Sequence, residues 1–151
     1  VATITNYVDK IPAPSRPEEG MGIIAVRLDF SKVPASSGDV IQAVNIPADT
    51  LVTEVLVHQE TPEGATATID VGDGSNADGW LDGIDINSST TDVIYSSMKN
   101  AGTDEAYGKK GGKWYGSADT IDVTANANLS TAVIDIIVKY IRKSWSYRNV
   151  E

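Results

Sequence analysis

The sequence predicts an all-β fold, a β-sandwich of jelly-roll type with an extended N-terminal arm and a short C-terminal tail. Three observations carry that expectation. About eight segments alternate apolar and polar residues or run apolar for the length of a strand. Gly, Pro, Asn and Asp punctuate them at strand-length spacing. No segment sustains a helical period. The expected boundaries are an arm over residues 1–20, one sandwich domain over 21–142 and an aromatic, basic tail over 143–151. A chain of 151 residues, 41% hydrophobic, suits one domain of ordinary size.

The arm comes first. Pro12, Pro14 and Pro17 exclude both helix and central strand from IPAPSRPEEG and favour extended backbone. Such an arm is either a free terminus or a strap laid on a neighbouring subunit. Ile4, Tyr7, Val8 and Ile11 supply anchors that a plain linker does not need, which favours the strap. The candidate contacts of this arm are those four residues with Pro12, Pro14 and Arg16.

Strands follow from Met21. Met21 to Phe30 places Ile24, Val26, Leu28 and Phe30 on one face, and Asp39 to Ile46 runs until Pro47-Ala48-Asp49 breaks it. Thr50 to Gln59 is rich in Val and Leu, and Thr61-Pro62-Glu63-Gly64 closes it with the residues of a type I turn. Ala65 to Val71 and Asp119 to Ala125 alternate cleanly, so each reads as half-buried. Weaker strands lie at Trp80 to Ile86 and Thr91 to Met98, followed by a loop from Lys99 to Gly116 with five Gly. In Thr131 to Arg142 one face holds Ala132, Ile134, Ile136, Val138 and Tyr140. The other still carries Val133, Ile137 and Ile141. That strand is therefore central and covered on both sides, or it meets a partner subunit.

Composition removes several chemistries. With no Cys and one His, the chain has no thiolate nucleophile, no multi-His zinc site and no disulfide framework. A Ser-His-Asp site would have to use His58, and no Gly-x-Ser-x-Gly elbow accompanies it. No enzyme activity, cofactor or metal is expected. The segment VATITNYVDK lacks the pattern of a signal peptide, and no apolar run of about 18 residues is present to cross a bilayer. A small first residue fits a trimmed initiator Met, so synthesis in a cytoplasm is the expectation.

The net charge of −9 is unevenly placed. Val33 to Met98 contains no Lys or Arg but holds Asp39, Asp49, Glu54, Glu60, Glu63, Asp70, Asp73, Asp78, Asp82, Asp85 and Asp92. A surface dominated by those acids repels phosphate backbones, so no nucleic acid is expected as a partner. Basic residues flank this block on both sides, which assigns binding to the ends of the chain.

Three constellations admit more than one reading. Asp70 to Asn87 holds five Asp, two Asn and four Gly, a composition that suits a calcium loop, but neither Asp73 nor Asp78 starts a workable ligand register. A wide Gly/Asp turn in which the acids bond local amides is favoured. Trp80, Trp114 and Tyr115 either stack on sugars or cap the sandwich ends and fill an interface. The run Gly108 to Lys113 lacks the spacing of a phosphate loop and reads as a mobile basic loop. Beyond it, Arg142, Trp145, Tyr147 and Arg148 make the tail a candidate for docking on an acidic partner.

Ile46-Pro47-Ala48, the strand and turn Ala67 to Gly74, Asp78 to Asp85, and Ala118 to Val123 before the Ile-rich last strand resemble a family of small tailed-bacteriophage virion proteins. These are encoded among the head genes, and many are capsid decoration, or cement, proteins. The resemblance covers about two thirds of the chain, from Ile46 to Tyr140. It implies a sandwich subunit, usually a trimer, that binds the major capsid protein on the outside of the virion and ties capsomers together. The alternative reading is a carbohydrate-binding sandwich that uses Trp80, Trp114 and Tyr115.

Overall fold

The computed structural model describes residues 1–4, 20–90, 92–99 and 106–142. Their strands are β1 (Thr3–Ile4), β2 (Gly20–Asp29), β3 (Val40–Ile46), β4 (Thr50–Thr61), β5 (Thr68–Gly72), β6 (Leu81–Asp85), β7 (Val93–Ser96), β8 (Lys113–Tyr115), β9 (Asp119–Ala125) and β10 (Val133–Arg142). They form two sheets, ordered β1-β3-β9-β5-β6 and β2-β10-β4-β7, with β8 added beside β4. The antiparallel pairs β2·β10, β3·β9, β4·β7 and β5·β6 nest along the chain and fall alternately into the second and the first sheet. A long hairpin folded over itself in this way is the predicted jelly roll.

Period-two alternation places the core between the sheets. Ile134, Ile136 and Val138 of β10 face Ile41, Ile69, Ile121 and Val123 of the first sheet, and all are buried. One end is plugged by the fully buried Trp80, whose indole donates to the Tyr115 hydroxyl at 3.2 Å and meets the Tyr107 ring edge-on at 5.3 Å. Asp73 completes the plug. Its Oδ1 accepts the amides of Ser75 and Asn76 at 2.9 and 3.0 Å, while Oδ2 accepts Lys113 Nζ at 2.6 Å and the Tyr115 hydroxyl at 2.8 Å. The Gly/Asp segment is thus a turn organised by its own amides, with a buried ion pair at its root.

Two expectations need correction. The region from 106 to 116 is not a mobile loop: a short 3-10 turn, Gly108–Lys110, leads into β8, whose Trp114 and Lys113 pair with Leu51 and Val52. Gly112, at φ +117°, makes this approach possible, because a side chain there would strike the Val52 carbonyl. Nor is Glu63 an ordinary turn residue. It is buried in the crossing from β4 to β5, and its N–H donates to the Ile86 carbonyl at 2.8 Å.

Candidate functional site

The two sheets differ sharply in charge. The strands of the first contain Asp70, Asp82, Asp85, Asp119 and Asp122 and no Lys, Arg or His. Those of the second balance Arg27, Lys113, Lys139 and Arg142 against Asp29, Glu54, Glu60 and Asp135, with His58 besides. Asp122 shows how crowded the acidic sheet is: burial pushes its carboxyl up to about 6, and Asp119 and Asp73 add to the shift against an opposing Thr120 hydroxyl.

The outward side of the second sheet is built in rows by strand register. Met21, Ile141, Leu51 and Trp114 are successive cross-strand partners, an apolar ladder across β2, β10, β4 and β8. Next come Ile23, Lys139 and Glu54, where Lys139 Nζ donates to Glu54 at 2.7 Å and the Ser96 hydroxyl donates to the same carboxylate at 2.7 Å. Ala25, Ile137 and Leu56 form a second apolar row, and Arg27, Asp135, His58 and Ile94 an ionic one. The largest exposed apolar side chains of this face are Met21 at 85%, Ile23 at 67%, Ile94 at 62% and Trp114 at 44%. Between the first two rows runs an open groove of about 740 Å³ lined by Met21, Gly22, Ile23, Thr53, Lys139, Tyr140 and Ile141. Gly22 belongs there because a Cβ would collide with the Tyr140 ring.

The ionic row is closed on itself. Arg27 donates twice to Asp135, at 2.9 and 3.2 Å, and also pairs with Glu60. His58 places Nδ1 3.0 Å from Asp135 and Nε2 3.0 Å from Asp92, and because carboxylates only accept, both contacts are hydrogen bonds at once when the ring is an imidazolium. Asp135, and to a lesser degree Asp92, raise the His58 pKa above its ordinary 6.5 against the effect of burial. The Asp135 contact counts for more, because the Asp92 carboxylate is exposed and screened. With both nitrogens occupied, His58 offers no free base to a nucleophile. Its contribution to stability is therefore complete below pH 6.5 and is lost as pH rises through the higher folded-state value. We expect the single imidazole to titrate above 6.5 by NMR. We also expect His58→Gln to cost more stability at about pH 5.5 than at about pH 8.5 in urea unfolding. Equal costs at the two pH values would refute this linkage.

The predicted contact residues fall into three groups. Tyr7, Val8, Ile11, Pro12, Pro14, Arg16, Trp145, Tyr147 and Arg148 lie outside the described residues. Ile4 ends β1, which pairs in parallel with β3, and Arg142 ends β10 opposite Gly20 and Thr50. Of the three aromatics assigned to glycan stacking, Trp80 and Tyr115 are buried in the end plug. They have no face to offer a sugar; this corrects the carbohydrate alternative and leaves Trp114 as its one exposed member. Sequence reasoning missed Met21, Ile23, Leu51 and Ile94 as surface residues. The apolar second face of the last strand was the visible signal, and among the described residues that face points outward.

These features define a class, a two-sheet jelly roll with one acidic sheet and one charge-balanced sheet whose outer face carries apolar rows. No protein-family model matches the sequence, and no curated protein does. Similar solved structures share the fold. A chain in the capsid asymmetric unit of cyanophage Pam1 is 15% identical with a TM-score of 0.62, covering 89% of this chain and 94% of that one. A chain in the acidic stable capsid structure of Helicobacter pylori bacteriophage KHP30 is 16% identical at 0.60, covering 86% and 97%. One in the capsid of Ralstonia phage GP4 is 14% identical at 0.57, covering 89% and 92%.

Proposed function

We propose that this protein is a non-enzymatic structural component of a bacteriophage virion. On this reading it decorates the outer capsid surface, binds the major capsid protein and stabilises the shell by bridging its subunits. The observation that carries the reading is the jelly roll shared, nearly end to end, with chains of three phage capsids. The charge distribution supports it, because the acidic sheet suits an outward, non-adhesive surface and leaves the balanced sheet and the chain ends for contacts. The arm, with Tyr7, Val8, Ile11 and Arg16, and the tail, with Trp145, Tyr147 and Arg148, are the proposed capsid contacts, on subunits that assemble as homotrimers. Several weak contacts on one trimer then add to a strong attachment. The protein is made in the host cytoplasm and takes no nucleic acid or membrane as partner. Among the described residues no helix is long and apolar enough to cross a membrane.

Cryo-electron microscopy of intact phage particles assembled with this protein tests the proposal. The expected result is sandwich density on the outer shell and at least about a tenfold loss of occupancy when residues 1–20 are removed. Density confined to the interior or the tail would overturn the assignment to the outer capsid. Unchanged occupancy would remove the arm as a strap.

A further inference from the structure

We propose that residues 143–148 fold back over the outer face of the β2-β10-β4-β7 sheet of their own chain, with Trp145 seated in the groove lined by Met21, Ile23, Lys139 and Ile141. The inference goes beyond the proposed function and does not require it. A tail seated there meets the capsid as part of this face.

Position is the first argument. The groove opens where β10 gives out: Tyr140 and Ile141 line it, and Arg142 ends the strand. A segment tethered at that point reaches the groove as an intramolecular event, at an effective concentration of about the millimolar order. Along the face, successive rows lie two residues, or about 7 Å, apart. With Lys143 and Ser144 turning the chain, an extended return brings Trp145 over the first two rows. Tyr147 follows about 7 Å further on, over Ala25, Ile137 and Leu56. Arg148 then comes within a side-chain length of the ionic row. The groove, at about 740 Å³, has the size of sites that bury ligands, and the exposed Met21 and Ile23 at its rim are the surface to be covered.

Charge selects the tail among the possible occupants. The strands of this sheet balance, but its outer rows do not. Lys113 is engaged by Asp73 in the end plug, and Arg142 falls on the other side of the strand alternation. Beside the Asp29–Lys32 pair, Arg27 and Lys139 are left against Glu54, Glu60 and Asp135, with Asp92 joined through His58. Acids remain in excess even when His58 is charged. A second copy brings the same excess to the contact and is repelled. Residues 5–19 suit the face no better, with Asp9, Glu18 and Glu19 against Lys10 and Arg16. Residues 143–148 hold two bases, two aromatic residues and no acid. They offer large rings to the apolar rows and a cation to the ionic one.

Limited chymotrypsin digestion of the full chain tests this, because cleavage after Trp145 or Tyr147 requires that segment to leave the groove. Tail cleavage of the wild type is expected to be slow. Met21→Glu and Ile23→Glu, each placing a charge at the groove, are expected to speed it at least about tenfold. Arg148→Glu is expected to speed it about threefold, as loss of an exposed ion pair allows. Asp82→Lys, on the other sheet, is expected to leave the rate unchanged. Cleavage within the sandwich reports unfolding of the body and serves as the folding control for each variant. A tail cut as fast in the wild type as in the groove variants overturns the inference. Protection that fades on dilution from about 100 to 1 µM also overturns it, by assigning the groove to the tail of another copy. Particles that carry the protein while its tail is freely cut would remove the inference and leave the proposed function standing. A protected tail on a protein absent from the particle would do the reverse.

Discussion

Replacing Glu63 by Gln is expected to lower the stability of the protein at pH 7 by about 3 kcal/mol. The carboxylate sits where the chain crosses from β4 to β5 and reaches the segment that crosses back from β9 to β10. It accepts the amides of Ser130, Thr131 and Ala132 at 3.0, 3.1 and 3.0 Å, and the hydroxyls of Ser130 and Thr131 at 3.3 and 2.8 Å. Burial alone would raise its pKa, but the amides and the Thr131 hydroxyl outweigh that and bring it from 4.5 to about 2. Because the folded value is the lower one, the stabilisation is complete above 4.5 and is lost as pH falls from there toward 2. A neutral amide cannot satisfy the same donors with charge. Urea unfolding of wild type and variant should therefore show a gap at pH 7 that narrows at lower pH. A gap under about 1 kcal/mol, or one independent of pH, would refute the carboxylate as the staple between the two crossings.

Asp73→Ala is expected to cost about 3–5 kcal/mol, the usual penalty for removing one partner of a buried ion pair. The substitution strands Lys113, whose ammonium lies 4.5 and 4.9 Å from the Tyr107 and Tyr115 ring centres, and it leaves the Tyr115 hydroxyl and two turn amides without their acceptor. Burial pushes the Asp73 pKa up, and Lys113, Tyr115 and the amides of Ser75 and Asn76 together bring it below its ordinary value. The ion pair predicts non-additivity. Adding Lys113→Met to Asp73→Ala should recover part of the loss, because the uncompensated charge is gone. Additive costs in a thermal or urea double-mutant cycle would show that Asp73 acts through the turn alone.

Local pattern made much of this molecule legible. Asp119 to Ala125 is a strand with both boundaries as read, and β2, β3, β4 and β10 lie within two residues of their expected ends. Their alternation needs no distant partner to be visible. Lys113 to Tyr115 was missed because three residues in a Gly-rich run carry no period, and β4 recruits them. Glu63 sat in a plausible turn, and nothing local marks the five donors that converge on it from more than sixty residues away. Trp80 and Tyr115 illustrate the same limit, since an aromatic residue beside a Gly/Asp turn serves equally as a platform or a plug until the opposing surface is known.

The strand positions, the punctuation between them and the all-β class follow from properties internal to each segment: backbone period, turn chemistry and side-chain polarity. The distribution of charge over the molecule does not. Along the chain the acids form one block between basic flanks, which suggested an acidic body with binding ends. In the folded jelly roll, β4 leaves that block and inserts between β10 and β7, where Glu54 meets Lys139 and Glu60 meets Arg27. The remaining acidic strands gather in the other sheet with β9. One linear excess of charge thereby becomes an acidic face and a balanced one. Pairing between strands as much as a hundred residues apart decides this, through contacts that no window of sequence contains.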